Sequence, residues 1–339
     1  MLARILKTAG AVLAVLLILL LVVVLTILLY LRPPSGPVEM DEHHPFRSAE
    51  SQENFLTAYD RMAEVWPEDA VTRMIDTAYG ETLVRISGPD TAPPLLLLHG
   101  GRANSLQWLP NIELFASHFR VHAVDTIGDF GRSIYSRRIE TGEDYTLWLH
   151  DLVSELELDT GFNLLGVSYG GWIATRYALY APDTVDRLVL VAPAGVTSNI
   201  RLPRSPRAAA CLIPLERFSR RCLQWLFSDV AEQGPNGQAI IDDWAELFAL
   251  AFRSFKPTPM VFPRPVDSRD LERLAMPVLF IAGTDEALFD PAAVAEELGE
   301  QVPDFRSQII PNAGHGLTAA RPDTFGRAVI DFLEPPSPQ

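Results

Sequence analysis

Ser168 stands in a Gly-x-Ser-x-Gly frame made by Gly166, Val167, Ser168, Tyr169 and Gly170. A serine so framed can act as an acyl-transfer nucleophile if a base, an acid to orient that base, and donors for the oxyanion accompany it. Its flanks fit. Phe162 to Val167 is a short apolar run suited to a buried strand, and Trp172 to Tyr180 has helical character that stops before Pro182. A serine between strand and helix sits on a tight turn, which needs neighbours without side chains. Gly166 and Gly170 supply that room, and Gly171 adds more. The hydroxyl would then stand at a helix N-terminus, where the dipole and unpaired N–H groups favour developing negative charge. An incidental serine on a Gly-rich turn would carry the same five residues, so the remainder of the chain decides.

Seven histidines are available as base. His43 and His44 lie in a Pro-rich stretch with no third ligand nearby and read as solvated linker residues rather than a metal site. His118, His122 and His150 have no distinctive setting and read as structural. His315 lies in Pro311-Asn312-Ala313-Gly314-His315-Gly316, after the last strand and before the last helix. A glycine-flanked loop at a strand's C-terminal end can deliver an imidazole to the top of a sheet, which makes His315 the general-base candidate. The acid should follow the serine and precede the histidine. Asp285 and Glu286, just after the strand Val278–Ala282, both answer that requirement, while Asp290 fits better as the cap of a helix beginning near Pro291. For the oxyanion, the loop His99-Gly100-Gly101 offers the N–H of Gly101, and the residue after the serine offers the N–H of Tyr169. His99 then reads as a structural loop residue. Arg102, Asn104 and Trp108 beside it are candidates for the pocket mouth.

The elements that must position these groups alternate. Strands are expected at Thr82–Ser87, Leu95–His99, Arg120–Asp125, Phe162–Val167, Arg187–Ala192, Val278–Ala282 and Phe305–Ile310. Helices are expected at about Ser48–Val65, Leu109–His118, Tyr145–Leu158, Gly170–Tyr180, Pro291–Leu298 and Pro322–Leu333. Uninterrupted apolar strands such as Leu95 to Leu98 suit a sheet covered on both faces, and the alternation implies an α/β fold with a mostly parallel central sheet flanked by helices. The rhythm breaks between about 194 and 274. That Pro-rich, aromatic stretch reads as a helical lid insertion over the C-terminal edge of the sheet, its aromatics chiefly packing for the insertion.

Net charge is −15, which argues against nucleic-acid partners. Thr8 to Leu31 carries no charge and as a helix would extend ~36 Å, enough to cross a bilayer's hydrocarbon core. A secretory signal peptide is the rival reading, but the run is long and ends in Tyr30-Leu31-Arg32-Pro33-Pro34 without a small-x-small cleavage site. The segments are therefore an N-terminal transmembrane helix as membrane anchor (1–31), a linker (32–47) and a catalytic domain (48–339). Arg4 and Lys7 before the span, against Arg32 with following acids after it, put the domain on the extracytoplasmic side. Cys211 and Cys222 fall in the lid, where a disulfide or two free thiols are both open.

The stretch from about Thr82 to the C-terminus resembles the α/β-hydrolase fold family, and within it the bacterial carboxylesterase-like branch. The resemblance rests on His99-Gly100-Gly101, on the segment from Ala123 to Ser133, on Gly166 to Gly171, on Pro277 to Gly283, and on Gly314-His315. In such proteins the strand before the acid runs Pro-Val-Leu-x-Ile-x-Gly-x-x-Asp, and laying that over this chain without a gap puts Glu286 at the acid position, with Asp285 as its alternative. The resemblance implies a serine hydrolase cleaving carboxylic esters through an acyl-enzyme, with Ser168, His315 and Glu286 as triad, Gly101 and Tyr169 as oxyanion hole, a small hydrophobic ester-type substrate, and no metal or organic cofactor. The same triad serves thioesters, lactones, amides and carbon–carbon bonds on this scaffold. A cofactor-free haloperoxidase and a non-catalytic binding protein are the remaining alternatives.

Overall fold

A computed structural model of the chain describes residues 37–334 apart from 160, 198–215 and 259. The described strands are β1 (Val71–Thr77), β2 (Gly80–Ser87), β3 (Pro94–Leu98), β4 (Arg120–Val124), β5 (Ile134–Tyr135), β6 (Phe162–Val167), β7 (Val185–Val191), β8 (Val278–Gly283) and β9 (Phe305–Ile310). The helices are α1 (Ala49–Ala63), α2 (Ile112–Ala116), α3 (Gly142–Glu155), α4 (Tyr169–Tyr180), α5 (Glu216–Leu226), α6 (Ser228–Ala231), α7 (Pro235–Ser254), α8 (Ser268–Leu271), α9 (Pro291–Gln301), α10 (Leu317–Ala320) and α11 (Pro322–Leu333).

All strands join one sheet in the order β1-β2-β4-β3-β6-β7-β8-β9, with β5 beside β2. From β4 to β9 every pairing is parallel, and β1, β2 and β5 add an antiparallel edge. Parallel pairing requires crossovers, and helices supply them on both faces. Side chains on a strand alternate between faces, so Leu96, Leu98, Leu164, Leu188, Leu190 and Phe280 pack with α3, α4 and α9. Leu95, Leu97, Leu165, Val189, Val191 and Ile281 pack on the other face, with α1, α2 and α11. Both faces are dry, which is why these strands read as continuous apolar runs.

The seven expected strands are all present. Two were not expected. In β1 only Ile75 is buried, so that strand carries no apolar alternation. The two-residue β5 is too short for any pattern. The helix expected at Leu109–His118 is shorter, only Ile112–Ala116 (α2), and a single 3-10 turn, Ser105–Trp108, precedes it.

The end of α7, within the segment expected to be a lid, rests on an aromatic pile. Phe255 lies with its ring centroid 4.5 Å from Phe46, 4.8 Å from Phe55 and 5.2 Å from Phe130, and Phe248 and Phe252 close against Phe130. These aromatics are packing, as expected. His44, by contrast, is not a solvated linker residue: it is 5% exposed, and its Nε2–H donates to the Tyr135 carbonyl at 2.7 Å. Phe46 bridges to Phe255, so the chain is already docked on the domain before α1 begins. Among the described residues no helix is long and apolar enough to cross a membrane. The Thr8–Leu31 run and Cys211 lie outside them, while Cys222 is disulfide-bonded.

Candidate active site

Ser168 sits between β6 and α4 with φ 50° and ψ −111°, a conformation that costs a non-glycine residue ~1–3 kcal/mol and persists only when its surroundings over-determine it. The backbone does so here. The Ser168 N–H donates to Val191 O at 2.8 Å, and its carbonyl accepts from Gly171 N at 3.0 Å and Ala194 N at 2.9 Å. A Cβ on Gly166 would collide with the Gly170 carbonyl, and a Cβ on Gly170 with the carbonyls of Leu98 and His99. Those two glycines therefore let β6, α4 and the end of β3 touch. Ser168 is left half-buried, its hydroxyl without a hydrogen bond among the described residues.

The loop after β3 lies against the elbow. A Cβ built on Gly100 would stand 3.7 Å from Ser168 Cβ, and one on Gly101 would stand 3.2 Å from Tyr169 Cβ. The N–H groups of Gly101 and Tyr169 have no partner among the described residues, whereas the Gly100 N–H is taken by Gln107 Oε1 at 2.9 Å. His99 fixes this loop. Its Nε2 accepts from Thr126 N at 2.9 Å, so its Nδ1 carries the proton and donates to Gly100 O at 2.7 Å. It is a structural histidine, as expected. Asp125 at the end of β4 ties down the next loop, accepting from Tyr59 O–H, Ser105 N and Arg132 N, each at 2.8 Å.

His315 follows β9 and is 7% exposed. Its Nδ1 lies 3.0 and 2.9 Å from the two carboxylate oxygens of Glu286. A carboxylate only accepts, so Nδ1–H is the donor and Nε2 holds the free lone pair. Glu286 is itself held by Leu288 N, which donates to Oε1 at 2.9 Å, and its side chain is fully buried. Asp285 is exposed and joins the histidine loop only through its backbone, donating to Ala313 O at 2.8 Å. Asp290 caps α9. Burial disfavours the imidazolium of His315, but the charge and hydrogen bond of Glu286, together with the charge of Asp229, outweigh it, so its pKa lies above the usual histidine value.

Of the pocket-mouth candidates, only Arg102 is not buried, and its Nη2–H donates to Thr258 O at 2.5 Å. Trp108 is fully buried, and Asn104 is buried in a cap on Leu106 N. Both are structural. The chain between α7 and α8 crosses the elbow instead. Tyr169 O–H donates to Val261 O at 2.6 Å, Trp172 Nε1–H donates to Arg264 O at 3.2 Å, and the Met260 methyl lies against Gly101. No residue spacing marks that crossing, because it depends on where the chain after α7 returns to the sheet. A separate groove of about 510 Å³ lies between α1 and the β1–β2 hairpin, lined by Leu56, Asp60, Arg85 and Arg132 among others but not by Ser168 or His315.

A strained serine elbow on β6, with a histidine and an acid after later parallel strands of one covered sheet, defines an α/β-hydrolase. A model of the alpha/beta hydrolase family matches residues 95–328, and the chain belongs to that family. It is 34% identical over 288 residues to carboxylesterase YbfK of Bacillus subtilis (strain 168), covering 85% of this chain and 96% of the relative. The crystal structure of that carboxylesterase superposes with a TM-score of 0.74 at 32% identity, covering 84% of this chain and 99% of the other. The crystal structure of naproxen esterase (carboxylesterase NP) from the same species superposes at 0.76 with 27% identity, over 85% of this chain and all of its own. The chain is a carboxylesterase-like hydrolase.

Proposed function

We propose that the chain cleaves carboxylic esters through an acyl-enzyme formed on Ser168. The observation that carries this reading is the two-oxygen grip of Glu286 on His315 Nδ1 at 2.9 and 3.0 Å, which leaves Nε2 as the base. His315 takes the Ser168 proton as the hydroxyl attacks the ester carbonyl. Glu286 holds the imidazole's tautomer and stabilises its charged form. The N–H groups of Gly101 and Tyr169 receive the oxyanion, the alcohol leaves with the proton from His315, and a water activated by the same base releases the acid. Burial of the Glu286 side chain favours it over Asp285 as third member. An apolar lid over the elbow suits a small hydrophobic ester, and the carboxylesterase names of the relatives support esters over other acyl compounds.

The Thr8–Leu31 run is proposed as a single membrane anchor, with the chain from 32 to the docking point at His44 and Phe46 as linker and the domain outside the cytoplasm; cytoplasmic activity of a reporter fused after Gln339 would contradict that orientation. For the reaction, p-nitrophenyl esters of graded chain length are the test. Ser168→Ala is expected to lower turnover by roughly 10⁴-fold or more, and turnover at the wild-type rate would refute the proposal.

A further inference from the structure

Glu286 is one of two carboxylates at His315. The other comes from the lid. Asp229, on the short helix α6, is 6% exposed. Its Oδ2 accepts from Gly314 N at 2.7 Å and its Oδ1 from Gly316 N at 3.3 Å. The carboxylate thus spans His315, holding the residue before it and the residue after it. The same lid turn brings the Phe227 ring parallel to the imidazole, with centroids 6.0 Å apart and planes at 27°. Phe227 is backed in turn by Trp244 of α7 at 5.3 Å. There is no slack in this contact. A Cβ on Gly316 would come within 2.6 Å of Val230 and 2.9 Å of Asp229 Oδ1.

Two backbone N–H groups converging on one buried point need a group with two acceptors and no donor. A carboxylate is the side chain that offers this. Burial pushes the Asp229 carboxyl above its ordinary value, while the N–H bonds from Gly314, Gly316 and Val230 and the charge of His315 pull it back. The charged groups facing the imidazole are Glu286 from the loop after β8 and Asp229 from α6, with the Asp285 side chain exposed.

We propose that Asp229 is a positioning residue through which the docked lid holds the His315 loop in its working orientation, so that closure of the lid and readiness of the base are one event. The proposal rests on His315 acting as the general base. When α6 lifts, the loop loses both N–H acceptors and the imidazole loses a negative neighbour and an aromatic wall. A substrate that binds beneath a docked lid therefore meets an assembled base, and an open lid leaves the loop slack.

The test is Asp229→Asn, which keeps the size but turns one acceptor into a donor facing a backbone N–H. In the full chain, kcat on a short p-nitrophenyl ester is expected to fall about tenfold with KM little changed, and the acid limb of the pH profile to move to lower pH. Titration of the His315 ring by NMR is expected to move the same way, and Asp229→Glu to recover part of the loss. An unmoved His315 titration with unchanged kcat overturns the proposal while leaving the esterase reading intact. A shifted titration in a protein whose wild type cleaves no ester leaves the clamp standing and removes the esterase reading. Should Asp229→Asn not fold, amide exchange in the wild type decides: protection of Gly314 and Gly316 that rises and falls with that of α6 supports the clamp, and exchange at free-amide rates refutes it.

Discussion

Ser168 and His315 each follow a parallel strand of the same sheet, β6 and β9, but are held by opposite means. The elbow is fixed by backbone: Ser168 is pinned through Val191, Gly171 and Ala194, and Gly166 and Gly170 abut carbonyls. The histidine loop is fixed by side chains, with Glu286 beneath it and Asp229 and Phe227 against it. Backbone clamps are rigid and demand glycine. Side-chain clamps can be released, and one of these belongs to the proposed lid. The difference suggests a division of labour in which the nucleophile stays cocked while the base is completed by whatever closes over it.

Within this comparison the largest expected effect is at the side-chain clamp, from the sheet side. Glu286→Gln should lower kcat by roughly 10³-fold or more, because an amide can stabilise neither the required tautomer nor the imidazolium. Asp285→Asn, at the exposed neighbour, should stay within about twofold. The reverse ranking in ester kinetics would move the acid to Asp285. Next come two glycines. Gly170→Ala drives a Cβ into the carbonyls of Leu98 and His99, which cannot move without the sheet, and should cost about 3 kcal/mol of stability in urea unfolding. Gly316→Ala first meets the side chains of Val230, Asp229 and Phe227, which can yield more readily than backbone. It should cost about 1 kcal/mol and make the lid more open to limited proteolysis. Equal costs for the two would erase the contrast between rigid elbow and releasable loop.

That contrast also marks what can be read in the sequence. The elbow is legible because its geometry is enforced by backbone contacts that leave glycines behind, and the buried parallel strands are legible because both faces are dry. The loop order from Ser168 to Glu286 to His315 is likewise written in the chain. Asp229 is not, since its meaning lies in a contact 85 residues away with Gly314, and a lone acid on a lid helix has no distinguishing pattern. Trp108 and Asn104 misled for a related reason: proximity in sequence to the oxyanion loop does not say which way a side chain turns, and both turn inward. His44 misled because a Pro-rich polar stretch looks solvated, although Phe46 two residues on anchors it to Phe255.

Whether Ser168 is an activated nucleophile is read directly by a fluorophosphonate probe. With folded protein, mass spectrometry should place the phosphonyl adduct on Ser168, and His315→Ala should suppress it. An unlabelled Ser168 in folded protein, under conditions where a control serine hydrolase reacts fully, would contradict the account.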